Sequence, residues 1–374
     1  MYKRQVQVKG LPKNPKLSNI SWSPDQKRIA LTNTTETGVE LWVLELENGS
    51  VTKLTESNLN SNIGSVINWF SDSENMLVKM ISNNRRPLID TNKIVPDGPT
   101  ISTNFGEKAQ NRTYQDLLKN KFDEHNFEQL STSTIYKVSI DGSVKKWMDD
   151  GMYRTISFSP NGEYVMISQI NKPFSYLVTY SRFPTETNIY NKDGDFVSNL
   201  QKVPLIEELP KGFMSVRTGK RSFSWRPDKG ASLTYVTALD SGDPSKKVDF
   251  RDEVYELNYP FSGKGKFILK TINRFSGIDW GTKDMAIAYD TWWNTRNRKS
   301  YVFNPSNPNI KPKIISDRNY QDTYSDPGSF LRSRNEFNRS VLKMHYGNIF
   351  LRGQGFSPSG QFPFIDKVLS LIHI

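Results

Sequence analysis

The stretch Ile156-Ser-Phe158-Ser-Pro-Asn-Gly162, running into Tyr164-Val-Met-Ile167, decides the fold because it recurs. An aromatic residue closes one short strand, a tight polar turn follows, and a short apolar strand comes next. The same order stands at Ile20-Ser-Trp22-Ser-Pro-Asp25 before Arg28-Ile-Ala-Leu31, and at Ile67-Asn-Trp69-Phe-Ser-Asp72 before Met76-Leu-Val78. It returns at Phe223-Ser-Trp225-Arg-Pro-Asp228 before Leu233-Thr-Tyr-Val236, and at Ile278-Asp-Trp280 before Met285-Ala-Ile-Ala288. Proline presets φ in such a turn, and Asp, Asn and Gly tolerate the remaining angles. The aromatic positions 22, 69, 158, 225 and 280 are 47, 89, 67 and 55 residues apart. Repetition at roughly 40–50 residues marks a β-propeller with about four strands per blade.

Outer hairpins support that reading. Leu41–Leu46 runs into Asn48-Gly49, Ile135–Ile140 into Asp141-Gly142, and Thr187–Tyr190 into Asp193-Gly194; Asn-Gly and Asp-Gly are strong two-residue hairpin signals. The expected fold is all-β: a partial propeller with blades near 17–56, 65–148, 153–202, 219–272 and 276–316, and part of a sixth from about 323. The aromatic residue of each first strand is expected to pack between neighbouring blades. The wide gap between 69 and 158 reads as an insertion in the second blade, at 87–133. Residues 88–108 lack any period and read as loop. Two short helices are expected within 113–130, one over Leu117-Leu118-Lys119 with Thr113 as N-cap, the other from Asp123 to Leu130. Long insertions of this kind are often functional, so a lid or docking element stands against a surface decoration.

Both ends read differently from the rest. Leu369-Ser-Leu-Ile-His-Ile374 is what CTG TCT CTT ATA CAC ATC encodes, and the reverse complement, read from its GTG, gives Met1-Tyr-Lys-Arg-Gln5. That pair resembles a transposase end used in sequencing-library tags. The expected organisation is therefore an adapter scar at 1–5, a propeller fragment at 6–368 and a second scar at 369–374. With these set aside, His125 and His345 are the remaining histidines. A leader segment would precede residue 6, so the compartment stays open. No apolar run approaches a membrane span, and the absence of cysteine excludes disulfides and thiolate metal sites.

The net charge of +11 admits nucleic acid, anionic membrane or acidic substrate as a partner, but the basic residues are scattered. The densest aromatic–basic stretch is Trp292-Trp293-Asn-Thr-Arg296-Asn-Arg298-Lys299. It reads either as a clamp for an acidic or nucleic ligand or as a strand-to-loop edge with solvated arginines. Catalytic patterns are missing. There is no Gly-x-Ser-x-Gly elbow: Gly355-Phe-Ser357-Pro-Ser-Gly360 reads as another blade turn. His125 sits in the insertion and His345 in an apparent strand, neither beside a candidate nucleophile. There is no His-x-x-x-His, no calcium loop and no phosphate-cradling glycine loop. This polypeptide alone is expected to catalyse nothing and to need no cofactor or metal.

Several strings together carry a family resemblance: Arg112-Thr-Tyr-Gln-Asp-Leu-Leu118, Arg182-Phe-Pro184, Ser215-Val-Arg217, Lys220-Arg-Ser222 with Trp225-Arg226, Asp249-Phe-Arg-Asp252 with Val254-Tyr255, Tyr324-Ser-Asp-Pro-Gly-Ser329, and Asp366. In order and spacing they resemble the N-terminal propeller of the glutamyl endopeptidases, serine peptidases of the prolyl oligopeptidase family. The resemblance implies a propeller that gates an active-site cavity for peptide substrates. It also implies a C-terminal α/β-hydrolase domain, beyond this piece, that carries the catalytic residues and forms the propeller's own partner, in a parent that cleaves after glutamate. It implies no nucleic-acid partner, and favours a periplasmic or secreted location. A glutamate carboxylate must meet donors, and arginine offers a bidentate fork. Arg217, Arg221, Arg226 and Arg251 lie in the family-like strings and are the candidate substrate contacts. The alternative is that they hold blades together through carboxylates such as Asp228 or Asp252. Two other functional readings remain beside this one: a standalone protein-binding propeller, and a basic propeller that binds nucleic acid or glycan.

Overall fold

The computed structural model describes residues 7–90, 93 and 114–368. Contacts divide the chain into two compact units, one holding residues up to 158 with 162–207, the other 159–161 with 208 onwards. In the first unit β1 (Leu17–Trp22), β2 (Arg28–Thr34), β3 (Val39–Glu45) and β4 (Val51–Lys53) form an antiparallel meander in sequence order. β5 (Ile67–Trp69), β6 (Asn75–Ile81), β7 (Ser133–Ser139), β8 (Val144–Phe158), β9 (Tyr164–Ile170), β10 (Thr185–Asn191) and β11 (Phe196–Val203) form one seven-stranded sheet. It is two blades sharing a strand: β8 pairs with β7 as far as Gly151 and with β9 from Met152.

In the second unit β12 (Arg221–Trp225), β13 (Ser232–Ala238), β14 (Asp252–Asn258) and β15 (Lys266–Thr271) form one meander, and β16 (Arg274–Thr282), β17 (Met285–Trp292), β18 (Asn297–Phe303) and β19 (Lys313–Asn319) another. Short strands follow: β20 (Ser329–Phe330), β21 (Arg332–Arg334), β22 (Ser340–Leu342), β23 (Met344–His345), β24 (Asn348–Gly353), β25 (Phe356–Ser357), β26 (Gly360–Gln361) and β27 (Phe364–Val368). Of these, β20, β23 and β27 pair with β24. Five four-stranded blades and an incomplete sixth set thus stand where the repeat placed them. Ser357 and Gly360 close a two-residue hairpin, a turn and not a nucleophile elbow.

The turns and second strands behave as the sequence demands. Ser23 donates its hydroxyl to Asp25 at 2.6 Å and accepts from the Arg28 amide at 2.9 Å, which closes the Ser-Pro-Asp turn. The strands after the turns are buried on both faces, as near-continuous apolar runs require. Trp69, 8% exposed, packs with Ala30, Leu41 and Val43 of the preceding sheet, and Trp280 packs in the same way on Val236, Val254 and Ile268. Trp22 is 54% exposed, because no sheet precedes β1 within the first unit.

Among the described residues the insertion carries one α-helix, where two were expected. α1 (Lys121–Ser131) is capped by Asn120, whose side chain accepts from the amides of Phe122 and Asp123. Residues 114–120 are not helical, and Asp116 there has φ +54°, which breaks a right-handed helix. Thr113 and most of the 88–108 loop lie outside the described residues, as do the adapter-like ends. Phe127 of α1 packs edge-on against Phe174 and Phe183, near Ile63 and Ile170. No helix among the described residues is long and apolar enough to cross a membrane.

Candidate functional site

The register of the second unit sorts its arginines by strand end. Arg221 opens β12, Ala238 closes β13 opposite Asp252 at the start of β14, and Thr271 closes β15 opposite that same Asp252. Arg274 opens β16 opposite Thr291, and Trp292 closes β17 opposite Asn297. All of these lie at one end of the two meanders. Arg226 follows β12, whose last residue Trp225 pairs with Leu233, and so lies at the other end. The four candidate arginines are therefore not one group: Arg217, Arg221 and Arg251 share an end, and Arg226 does not.

Arg226 is enclosed. It is 1% exposed, pairs with Asp228 at 2.7 Å and Glu256 at 2.9 Å, and lies 3.9 Å over the Trp280 ring. Glu256 is held below the usual carboxylate range despite burial, because Lys229, Arg226 and Ser232 all favour its charged form. This node joins the turn to its blade.

At the other end stands a buried network centred on Arg274, a residue the sequence reading did not single out. Arg274 Nη2 donates to Asp240 Oδ2 at 2.7 Å, Nη1 to Asp252 Oδ1 at 3.2 Å, and Nε to the Met214 carbonyl at 2.8 Å. Arg251 Nη1 donates to the same Asp240 oxygen at 2.8 Å, and Arg221 Nη2 lies 2.5 Å from Asp252 Oδ1. Three arginines thus share two aspartates. The Asp240 and Asp252 carboxylates are filled further by the amides of Gly242 and Phe275. The Nε–H of Arg221 is buried with no hydrogen-bond acceptor among the described residues. Arg217 donates to the carbonyls of Thr218 and Lys220, and burial, with Arg221 beside it, lowers its pKa. Asp240 and Arg274 are 34 residues apart in sequence, and no local spacing signals that they meet.

Gly242 fits this corner to its neighbour. Its φ is +78°, its carbonyl accepts from the Val216 amide at 3.0 Å, and a Cβ there would stand 1.8 Å from the Val216 carbonyl. A small cavity of about 190 Å³ opens beside the network. Its walls are residues 211–214, Pro244 with Ser245, and Trp292 with Asn294 from the β17–β18 hairpin. The Trp292 ring carries Arg251 at 3.9 Å, Trp293 carries Arg296 at 3.8 Å, and Phe213 meets Trp293 at 5.3 Å. The Trp292–Lys299 stretch is thus the end of one strand, a turn and the start of the next, with its aromatics stacked on arginines.

His125 Nε2 contacts the Pro87 carbonyl at 3.0 Å, and the His345 ring lies edge-on to Tyr346. Among the described residues no cluster of acidic or histidine side chains could hold a metal ion.

Meanders of four antiparallel strands, each blade opened by an aromatic strand and a polar turn, make this a β-propeller. No protein-family model matches the chain. It is 34% identical over 376 residues to a probable chloroplastic glutamyl endopeptidase of Oryza sativa, covering 96% of this chain and 40% of that protein. A protein of the same description from Arabidopsis thaliana is 32% identical over 97% of this chain and 39% of its own length. The chain is a relative of the glutamyl endopeptidases, and spans about 40% of the length of these curated relatives. Solved structures with a similar course of chain include an oligogalacturonate lyase from Vibrio parahaemolyticus, with TM-score 0.47 and 11% identity over 96% of this chain and 78% of that one. An acylaminoacyl peptidase from Pyrococcus horikoshii has TM-score 0.45 and 11% identity over 91% of this chain and 43% of that one. The propeller domain of the Trilobed protease from Pyrococcus furiosus has TM-score 0.43 and 11% identity over 95% and 84%.

Proposed function

We propose that this chain is the noncatalytic, substrate-gating propeller of a longer serine-type peptidase that cuts peptides on the carboxyl side of glutamate. The observation that supports it is the match over 96% of this chain to a protein described as a glutamyl endopeptidase, of which the chain spans 40%. The catalytic serine, aspartate and histidine belong, on this reading, to an α/β-hydrolase domain in the rest of the protein. In this role Arg217, Arg221 and Arg251 bring positive charge to one end of the blades, and Arg226 secures a turn at the other.

The test uses the longer protein and this chain side by side. The longer protein should release product from a blocked glutamyl peptide, and this chain alone should release none. Hydrolysis by this chain, or a longer protein that leaves glutamyl peptides intact, overturns the reading. In the longer protein, Arg251→Ala should lower the Glu-to-Gln ratio of kcat/KM by the worth of a hydrogen bond to a charged group, about 1.5–3 kcal/mol. An unchanged ratio with a lower Tm would give the arginine a purely structural role.

A further inference from the structure

We infer that the cavity between the 211–214 segment, the Pro244–Ser245 turn and the β17–β18 hairpin holds an acidic side chain of an extended peptide, making it an acid-selective docking site on the propeller. The inference rests on the chain's being the peptide-selecting part of a peptidase, and it names where and how an acidic segment is gripped.

Size comes first. About 190 Å³ is below the roughly 300–1,000 Å³ of a small-molecule site, and suits one side chain. Charge comes next. Arg221, Arg251 and Arg274 share only Asp240 and Asp252, so the network beneath the cavity keeps a surplus positive charge. Arg274 reaches the cavity wall through the Met214 carbonyl, and Arg251 lies flat on the wall residue Trp292. Lys211, exposed in the cavity lining, adds a further cation. Carboxylates oppose them: Asp243, half-buried, accepts from the Ser245 amide and hydroxyl at 2.9 and 2.7 Å, and Asp290, buried near the end of β17, accepts from Asn273 and Tyr301. Hydrogen bonds from Ser245, with Lys246 and Arg251 nearby, hold Asp243 ionised, and with Lys246 and with Arg217 beside Arg221 the named cations outnumber the named carboxylates. A field of one sign beside low-dielectric walls draws the opposite charge.

Shape and apolar surface then favour a peptide. Phe213 of the lining and Trp293, in contact with it, are exposed, and the loop that carries Pro244 and Ser245 also exposes Leu239, Val248 and Phe250. Peptide backbone and apolar side chains can cover this rim while one carboxylate enters, with Lys211 and the Asn294 amide as donors. Lysine meets a carboxylate as a point charge, which suits a flexible docking contact better than fixed bidentate recognition.

The experiment measures binding directly on this chain. A short, blocked, fluorescein-labelled peptide rich in glutamate is titrated by anisotropy, beside the same peptide with every glutamate changed to glutamine. The glutamate peptide should bind at least about tenfold more tightly. Lys211→Gln and Asn294→Asp should each remove most of that preference. Lys264→Gln, at the opposite end of the same blade, should leave it intact. Equal binding of the two peptides, or a preference untouched by both cavity variants, overturns the inference, as does tighter binding of a single-stranded oligonucleotide of matched charge. The outcomes separate the two proposals. If this chain prefers the glutamate peptide but the longer protein cuts nothing after glutamate, the docking site stands and the peptidase reading falls. If the longer protein cuts after glutamate while this chain binds both peptides alike, the reverse holds.

Discussion

Lys79 offers a sharp test of how this fold is held. It lies in the middle of β6, 2% exposed, between Val78 and Met80, which belong to a wholly apolar cluster. Its Nζ donates to the Ile63 carbonyl and reaches no carboxylate among the described residues. Burial pushes the ammonium down from 10.5 to about 8. Each pH unit of such displacement is worth about 1.4 kcal/mol, so keeping the charge inside at neutral pH costs the fold about 3 kcal/mol. Lys79→Met removes that cost and keeps the volume. It gives up one hydrogen bond, worth about 1 kcal/mol, which leaves a net gain near 2 kcal/mol at pH 7. The pH dependence has a fixed sign. Below pH 8 the lysine is charged in both folded and unfolded chains, and the full penalty is present. From pH 8 to 10.5 the unfolded chain holds a proton that the folded chain has released, so wild-type stability rises with pH. The gap between variant and wild type should therefore be widest near pH 7 and narrow steadily toward pH 10. Urea unfolding of both proteins across that range, with midpoint and slope recorded, checks it. A gap that stays constant with pH, or a variant less stable than wild type at pH 7, would refute the reasoning.

Other substitutions follow from the same geometry. Arg274→Met should cost about 3–5 kcal/mol, since it strips a hydrogen-bonded cation from two buried aspartates; a loss under about 1 kcal/mol in urea would show that Arg221 and Arg251 suffice to hold them. Gly242→Ala should lower the thermal midpoint clearly, because a Cβ would overlap the Val216 carbonyl and φ is +78°. Differential scanning calorimetry reads this, and an unchanged midpoint would mean that the two loops part without cost. Asn120→Ala should cost about 1 kcal/mol through loss of the α1 cap; circular dichroism of the variant and urea titration test it, and no change would argue that tertiary packing alone sets the start of α1.

The sequence made the blades legible because turn chemistry and strand burial both leave local marks. Ser23-Pro-Asp25 and the glycine hairpins announce themselves within a few residues, and the all-buried strands between them read as apolar runs. The continuity of β8 left no such mark. Blade limits near 148 and 153 leave Asp149-Asp150-Gly151 between blades, yet the chain stays extended there because Asp150 accepts hydrogen bonds from Ser82, Asn84 and Thr134, and the Tyr153 hydroxyl donates to the Asp149 carbonyl. The insertion was half legible. The run at 123–130 forms a helix with its acidic first turn and Asn120 cap, whereas 114–120 has helical composition but a left-handed residue at Asp116. At the candidate site the pairs Arg226–Asp228 and Arg221–Asp252 connect residues that the sequence had placed side by side as alternatives. Arg274 and Asp240 were invisible because register, not spacing, brings them together. The Trp292–Lys299 stretch was visible as a composition, but its cavity depends on two distant loops.

The strand shared by the second and third blades has a consequence for how the first unit comes apart. Blades joined by loops can open one at a time, each losing only its own ladder. β8 gives one half of its ladder to β7 and the other half to β9, so releasing either blade frees half of the strand that completes its neighbour. The residues from Ile67 to Val203 should then behave as one cooperative block, their amides exchanging hydrogen together while the β1–β4 meander exchanges on its own schedule. A tolerated break in that block is to be sought in the insertion before β7, never at Asp149-Asp150-Gly151, where the polar residues that look like a joint are the seam.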